Sequence, residues 1–277
     1  MNKIIVPIDF SKHSEYALET AAILAKKNNA EILALHMLEM ANNVLIDSDE
    51  EQSMQAVFFM KLAEKRFNEF LEKEYLKDIT VTPIVKHFKV FREVSDVAKE
   101  HQADLIIMGS HGASGLTEIF VGSNTEKVVR YSEIPVLIVK QKPVNVKFET
   151  VVFACDFSEG MIQSYLKACQ FFENTSSNLK LLYVNLPGAR FKSSTEMETT
   201  VANFLEKADG NLNKLNDIHY VSDYTVEDGV LNFANIVGGD LIAVPTHGRK
   251  GIAHFFSGSI GEDIANHSTL PVITFRV

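Results

Sequence analysis

Residues 104–124 hold the densest set of groups able to do chemistry. Leu105 to Met108 is an uninterrupted apolar run, followed at once by Gly109 and Gly112. After nine intervening residues come Gly122, Ser123 and Asn124, and then a helical pattern. A short apolar run suits a strand buried on both faces of a parallel sheet. Glycines reach φ > 0 and let a ligand approach the backbone closely. A helix N-terminus offers unpaired N–H groups and a partial positive charge. Strand, glycine turn and helix start together make a phosphate cradle. A second reading needs no ligand: Ser123 and Glu126 form the S-x-x-E pattern of a capping box. Gly109 and Gly112 would then only turn the chain out of the sheet.

Strands alternating with helices must position these residues. Lys3 to Ile8 is an apolar strand ending at Asp9, and Ser11 can cap the helix that follows. Ala17, Leu18, Ala21, Ala22 and Ala25 give that helix one apolar face, and Asn28-Asn29 ends it. Glu31 to Leu38 is the second strand, residues 40–53 an acidic loop, and Met54 to about Tyr75 a long helix. Thr80 to Val85 is the third strand, placed at a sheet edge by Pro83. A short helix over Val94 to His101, the fourth strand, a helix over Ser123 to Tyr131 and a fifth strand over Pro135 to Val139 complete the unit. The alternation implies βαβ crossovers and a parallel sheet covered on both faces, an α/β fold.

After a linker at 141–149 the pattern restarts. Val151 to Ser158 echoes Ile4 to Ser11, Leu179 to Val184 echoes Ile32 to Met37, and Asp240 to Val244 echoes the fourth strand. Pro245-Thr246-His247-Gly248 stands where Gly109-Ser110-His111-Gly112 stood, and Gly258-Ser259 with Glu262 repeats the later pattern. Pro271 to Phe275 echoes the fifth strand. This is a tandem duplication of one α/β domain, with domains at 1–143 and 147–277.

Bulk properties narrow the partners. A chain of 277 residues has room for two domains. A net charge of −9 argues against a general nucleic-acid binder and against an anionic membrane surface. The two cysteines, Cys155 and Cys169, form no C-x-x-C and read as small buried hydrophobes. The histidines form no metal-ligand spacing, so no metal site is expected from the protein's own side chains. The N-terminal apolar run is too short for a signal peptide, and no stretch approaches the ~20 apolar residues of a membrane span. A cytoplasmic protein is expected.

At these residues the sequence resembles the universal stress protein family in its tandem form. The carriers are Pro7-Ile8-Asp9-Phe10-Ser11, Leu35-His36-Met37, and above all Gly-x2-Gly-x9-Gly-Ser at Gly109, Gly112, Gly122 and Ser123. That last spacing is the family's ATP-binding signature. The resemblance implies two Rossmann-like (adenine nucleotide alpha hydrolase-like) domains, each a five-stranded parallel sheet of order 3-2-1-4-5. It implies ATP or another adenine nucleotide lying across the carboxyl ends of strands 1 and 4, where ligands of open α/β sheets bind. Carried over, Pro7 and Asp9 would lie at the adenosine side and the Met37 backbone at the adenine edge. Met108, Gly109, His111 and Gly112 would border the ribose and phosphates, and Gly122, Ser123 and Asn124 would donate to phosphate oxygens. The stretch from Ser110 to Asn124 has no Lys or Arg. Charge neutralisation would rest on backbone dipoles and a divalent cation, with Mg²⁺ the candidate. Asp9 also has a ligand-free reading, as a carboxylate favoured at a helix N-terminus. His111 and His247 fit a turn hydrogen bond as well as a ligand contact, and His36 fits a structural role.

The second repeat departs from the signature. Pro245 replaces the first glycine, removing an N–H and fixing φ near −65°. Ala154 replaces Pro7. Asp156, Val184, Gly248, Gly258 and Ser259 are in place, and Arg249 and Lys250 add positive charge. A tighter nucleotide site in the first repeat is therefore expected. Three functions compete: a nucleotide-binding regulatory protein of the stress response, a slow ATPase, and an interaction module that binds no nucleotide in one or both repeats. No Walker A pattern occurs and no motif places a general base, so catalysis is not expected. The apolar fifth strands, Val136 to Val139 and Val272 to Phe275, would be exposed edges unless paired. The two repeats are expected to pack as an intrachain pseudo-dimer, with further association into a homodimer left open.

Overall fold

The computed structural model describes residues 1–39, 49–88, 93–110, 122–144, 146–246 and 260–277. In the first repeat the strands are β1 (Lys3–Ile8), β2 (Glu31–Glu39), β3 (Val81–Phe88), β4 (Leu105–Gly109) and β5 (Val136–Val139). The helices are α1 (Lys12–Asn28), α2 (Asp49–Leu71), α3 (Glu93–Glu100) and α4 (Ser123–Tyr131). The second repeat has β6 (Thr150–Ala154), α5 (Ile162–Thr175), β7 (Asn178–Asn185), α6 (Ser194–Asp209), β8 (Ile218–Ser222), α7 (Val226–Val237), β9 (Leu241–Thr246), α8 (Ile260–His267) and β10 (Val272–Arg276).

The strand order across the molecule is β3-β2-β1-β4-β5-β10-β9-β6-β7-β8. Each half therefore has the order 3-2-1-4-5, parallel within itself. The two sheets are not separate, however. β5 and β10 pair antiparallel, Leu137 opposite Ile273, and join the halves into one ten-stranded sheet. This removes the two apolar edges that the sequence left unpaired. Pro83 sits in β3, an outer strand, where a missing N–H does least harm.

Side-chain alternation along the strands divides the core in two. One face buries Ile4, Val6, Leu137 and Ile273 with Leu18 of α1, Phe67 of α2, Phe172 of α5 and Phe204 of α6. The other buries Ile5, Val136, Ile138 and Val272 with Val97, Val128, Phe233 and Ile264 of α3, α4, α7 and α8. Both cores run through the junction, so neither repeat ends in a solvent-facing wall. Cys155 and Cys169 are buried and free, as small hydrophobes should be.

Local signals fix the helix ends. The Ser11 side chain accepts from Ser14 N at 3.2 Å, and Asn29 closes α1 in the left-handed region at φ 52. Two expectations need correction. α2 begins at Asp49 rather than Met54, because Asp49, Glu50 and Glu51 suit a first helical turn as well as a loop. α4 has Gly122, not Ser123, at its N-cap, and no side chain caps it. Ser123 is already helical, and Glu126 reaches forward to Arg130 at 2.5 Å instead of back. The capping box is not formed there; one is formed by Ser193 and Glu196 at α6.

Candidate functional site

Two strand exits with the same construction define the site. At the end of β1 the chain runs Asp9-Phe10-Ser11, and after β6 it runs Asp156-Phe157-Ser158. Phe10 has φ 63 and Phe157 φ 53, the left-handed region that aromatic residues rarely enter. In both, the aspartate folds back over the turn: Ser11 N donates to Asp9 Oδ1 at 3.0 Å, and Ser158 N to Asp156 Oδ1 at 2.9 Å. The turn sends each phenylalanine ring under its second helix. Phe10 meets Phe67 and Phe70 edge-on, each at 5.5 Å. Phe157 stacks on Tyr183 at 6.0 Å and meets Phe204 edge-on at 5.3 Å. A conformation that costs about 1–3 kcal/mol persists only where its surroundings enforce it. Here aromatic packing below enforces it twice, and each aspartate stays at the carboxyl end of the sheet.

In the second repeat this exit opens on a small cleft of about 80 Å³. Ala154, Asp156, Val184, Val244 and Pro245 line it. By strand register these are the counterparts of Pro7, Asp9, Met37, Met108 and Gly109. The topology thus brings one carboxylate and an apolar wall together between the ends of β6, β7 and β9. Cys155, Met161, Leu182 and Val226 complete the lining, and sequence reading did not single them out as site residues. Only the periodicity of strand ends could have suggested Cys155 and Leu182. Burial pushes the Cys155 thiol well above its usual pKa, so it serves as an apolar wall rather than a nucleophile. Gly229 of α7 shapes the same wall: a Cβ there would stand 2.7 Å from the Val184 side chain.

In the first repeat, Pro7 and Met108 are buried, while Asp9, Met37 and Gly109 are half-buried. His36, the register partner of Ile8, donates from Nδ1 to the Ile8 carbonyl at 2.7 Å. Burial holds its pKa below the ordinary value against the opposing pull of that carbonyl and of Asp9. A neutral, hydrogen-bonded imidazole under Phe10 is a structural group. The exit of β4 is tied to the start of α4 by two bonds. Thr125 Oγ1 donates to Gly109 O at 2.9 Å, and Gly122 N donates to Ser110 O at 2.6 Å. Gly122 N–H therefore already has an acceptor, and the first-turn N–H groups left for an anion are those of Ser123, Asn124 and Thr125. Ser123 is exposed and Asn124 half-buried. His111, Gly112, His247, Gly248, Gly258 and Ser259 lie outside the described residues.

The universal stress protein family model matches residues 1–140 and again residues 147–276. The chain belongs to that family. Universal stress protein YxiE of Bacillus subtilis is 33% identical over 150 residues, which is 50% of this chain and 99% of that protein. Universal stress protein MJ0577 of Methanocaldococcus jannaschii is 31% identical over 159 residues, 50% of this chain and 95% of its own. Each of these relatives thus matches about half of this tandem family member. The crystal structure of a universal stress protein from Archaeoglobus fulgidus covers 99% of this chain and 96% of its own, with a TM-score of 0.69 at 23% identity. That likeness concerns the fold, which extends over both repeats. Among the described residues no helix is long and apolar enough to cross a membrane.

Proposed function

We propose that this chain is an adenine-nucleotide-binding regulatory protein of the stress response, with ATP or a related nucleotide lying across β1 and β4. The observation that carries this reading is the cleft of the second repeat. Its lining contains the counterparts of Pro7, Asp9 and Met37, which the family resemblance places at the adenosine, and of Met108 and Gly109, which it places along the ribose and phosphates. A carboxylate beside an apolar wall suits a nucleoside, whose hydroxyl and amino groups donate and whose ring seeks apolar contact. In the first repeat, Ser123 and Asn124 at the uncapped start of α4 would receive the phosphates, with His111 and Gly112 on the intervening chain. In the second, Asp156 and Val184 would take the nucleoside, and Gly248, Gly258 and Ser259 the phosphates.

The donor set fits a nucleotide better than a free metal ion. Among the described residues no group of three or more His, Cys, Asp or Glu could hold one. Mg²⁺ would therefore arrive with the phosphates, its charge balancing theirs, and the chain's own part is to orient the nucleoside and the anion.

The two repeats should not bind equally. Pro245 brings no N–H to the cleft wall where Gly109 has one. A lost hydrogen bond to a charged group corresponds to roughly 1.5–3 kcal/mol, or about ten- to a hundredfold in affinity. The proposal is one tight site in residues 1–140 and a weaker one in the second repeat. Titration of the intact chain with ATP, beside Asp9→Ala and Asp156→Ala, tests it. Tight binding should vanish in the Asp9 variant and survive in the Asp156 variant. Loss only in the Asp156 variant would reverse the assignment, and no binding to the parent chain would leave the interaction-module reading. Mass spectrometry of nucleotide released by acid from the purified chain would name the ligand.

A further inference from the structure

Four side chains able to do chemistry meet in the second repeat, and none of them lines the cleft. Tyr165 and Cys169 lie four residues apart on α5 and share one helical stripe. Asp209 ends α6, and Lys214 lies in the turn that leads into β8. Tyr165 Oη donates to Asp209 Oδ2 at 2.8 Å, and Lys214 Nζ donates to Tyr165 Oη at 2.9 Å. Lys214 also pairs with Asp209 at 3.2 Å and lies over the Tyr165 ring, 5.1 Å from its centroid. Its remaining neighbour is a thiol, with Cys169 Sγ 3.7 Å from Lys214 Nζ. The duplication does not account for this group, since Leu18 and Ala22 hold the counterpart positions in α1. Asp209 alone satisfies the buried Tyr165 hydroxyl, so hydrogen-bond satisfaction does not call for an ammonium beside the sulfur.

We propose that Cys169 and Lys214 become joined by a sulfenamide bond when hydrogen peroxide oxidises the thiol. The thiolate is the reactive form of cysteine, and a neighbouring cation stabilises it. Burial pushes the Cys169 thiol up, while the Lys214 ammonium and the Tyr165 hydroxyl pull it back. Cys155 has no cation of this kind among the described residues: burial and the Asp156 carboxylate oppose its ionisation, and only backbone N–H groups favour it. The Lys214 side chain is 37% exposed, so the cluster opens to solvent on that side. In the first step the Cys169 thiolate attacks a peroxide oxygen and the O–O bond breaks. The hydroxide that leaves takes the thiol's proton as water, and a sulfenic acid remains. Lys214 then passes one proton to Asp209, its ion-pair partner, and the free amine attacks the sulfur. The S–N bond forms as the S–O bond breaks, and the departing hydroxide takes a second amine proton as water. Thiol, amine and peroxide thus give sulfenamide and two waters, with sulfur oxidised and peroxide reduced. The flexible, unbranched lysine stem supplies the reach to close the gap. The bond ties α5 to the turn before β8.

Peptide mass spectrometry of the intact chain after peroxide treatment tests this. The peptides carrying Cys169 and Lys214 should be recovered joined, lighter than their sum by two hydrogens, and dithiothreitol should separate them. Cys155 should remain a thiol. Lys214→Arg keeps a cation at a partly exposed position but replaces the amine by a guanidinium, which stays protonated and does not attack sulfur. That variant should lose the crosslink, and dimedone should trap its Cys169 sulfenic acid in several-fold higher yield than in the parent. A Cys169 that stays a thiol under peroxide, or that proceeds to sulfinic acid without joining Lys214, would overturn the proposal. So would equal oxidation of Cys155, or a crosslink that persists in Lys214→Arg.

Discussion

The backbone of His13 occupies the space that a side chain at Gly109 would need. An ideal Cβ at Gly109 stands 2.6 Å from the His13 carbonyl carbon and 2.7 Å from its oxygen. The first glycine of the signature is therefore required by the start of α1, whether or not a ligand is near. This packing demand stands beside the ribose and phosphate role that the family resemblance implies for Gly109. It also accounts for Pro245. In the second repeat a 3-10 turn, Glu159–Met161, precedes α5, so the helix begins later after its aspartate than α1 does. A side chain is then accommodated at the counterpart position. Gly109→Ala should destabilise the fold by about 1–3 kcal/mol, the usual range for overpacking. Urea unfolding should show a lower midpoint. An unchanged midpoint with weakened ATP binding would return Gly109 to the ligand.

Gly122 joins α4 to β4 through Ser110 O and is the N-cap. Gly122→Val puts a β-branched side chain between the incoming anion and the N–H groups of Ser123 and Asn124. It is also a poor N-cap, costing about 1 kcal/mol or less relative to glycine. The fold should survive, and calorimetry should show ATP affinity in the first repeat falling by more than about tenfold, the equivalent of one charged hydrogen bond. Unchanged affinity would place the phosphates elsewhere.

Much of this fold was legible because two independent signals agreed. Apolar strand ends recurred at Asp9 and Asp156, and apolar fifth strands appeared twice with no partner of their own. The pairing of Leu137 with Ile273 follows from the second fact. The turn at Phe10 and Phe157 was not legible, since nothing in the residue type predicts φ > 0 for phenylalanine. Only the packing of both rings under α2 and α6 produces it. The start of α4 was misread for a different reason: S-x-x-E is a local pattern, and the contact of Gly122 N with Ser110 O is not local. Register, by contrast, carried Val184 and Asp156 into one cleft as the repeat alignment required.

Across the junction each repeat places a cation at the C-terminus of the other's last helix. Arg276 Nη1 donates to Tyr131 O of α4 at 2.7 Å, and Lys140 Nζ donates to Asn266 O of α8. Cations at that end oppose the helix dipole favourably. Burial nevertheless pushes Lys140 down to about 8, with Glu227 pulling the other way. The charged form is thus penalised in the folded state, fully so below about pH 8. The penalty fades as pH rises toward the unfolded value near 10.4. The Lys140 contribution to stability should therefore climb from about pH 8 to about pH 10. It is opposed above about pH 8.5 by Cys155 and Cys169 and above about pH 10 by Tyr75 and Tyr165, whose pKa burial raises and whose unfolded forms ionise first. Melting temperatures of the parent and Lys140→Met across this range check the sign. A parent and variant with parallel pH profiles would remove Lys140 as the source.

The paired phenylalanines separate stability from binding. Phe157 is 2% exposed and held by Tyr183 and Phe204, so Phe157→Ala removes a full aromatic side chain from the core while leaving a residue at φ 53. The loss should be about 3–5 kcal/mol, as for other buried phenylalanines. Phe10 is only half-buried, and Phe10→Ala should cost less in denaturant unfolding. For ligand binding the order should invert. Phe10 fixes the turn that carries Asp9 in the repeat proposed to bind tightly, and without its ring against Phe67 and Phe70 the aspartate loses its fixed direction. ATP titration of both variants under conditions where each remains folded should show the larger loss for Phe10→Ala. A larger loss for Phe157→Ala would place the tight site in the second repeat, over the cleft that Asp156 lines.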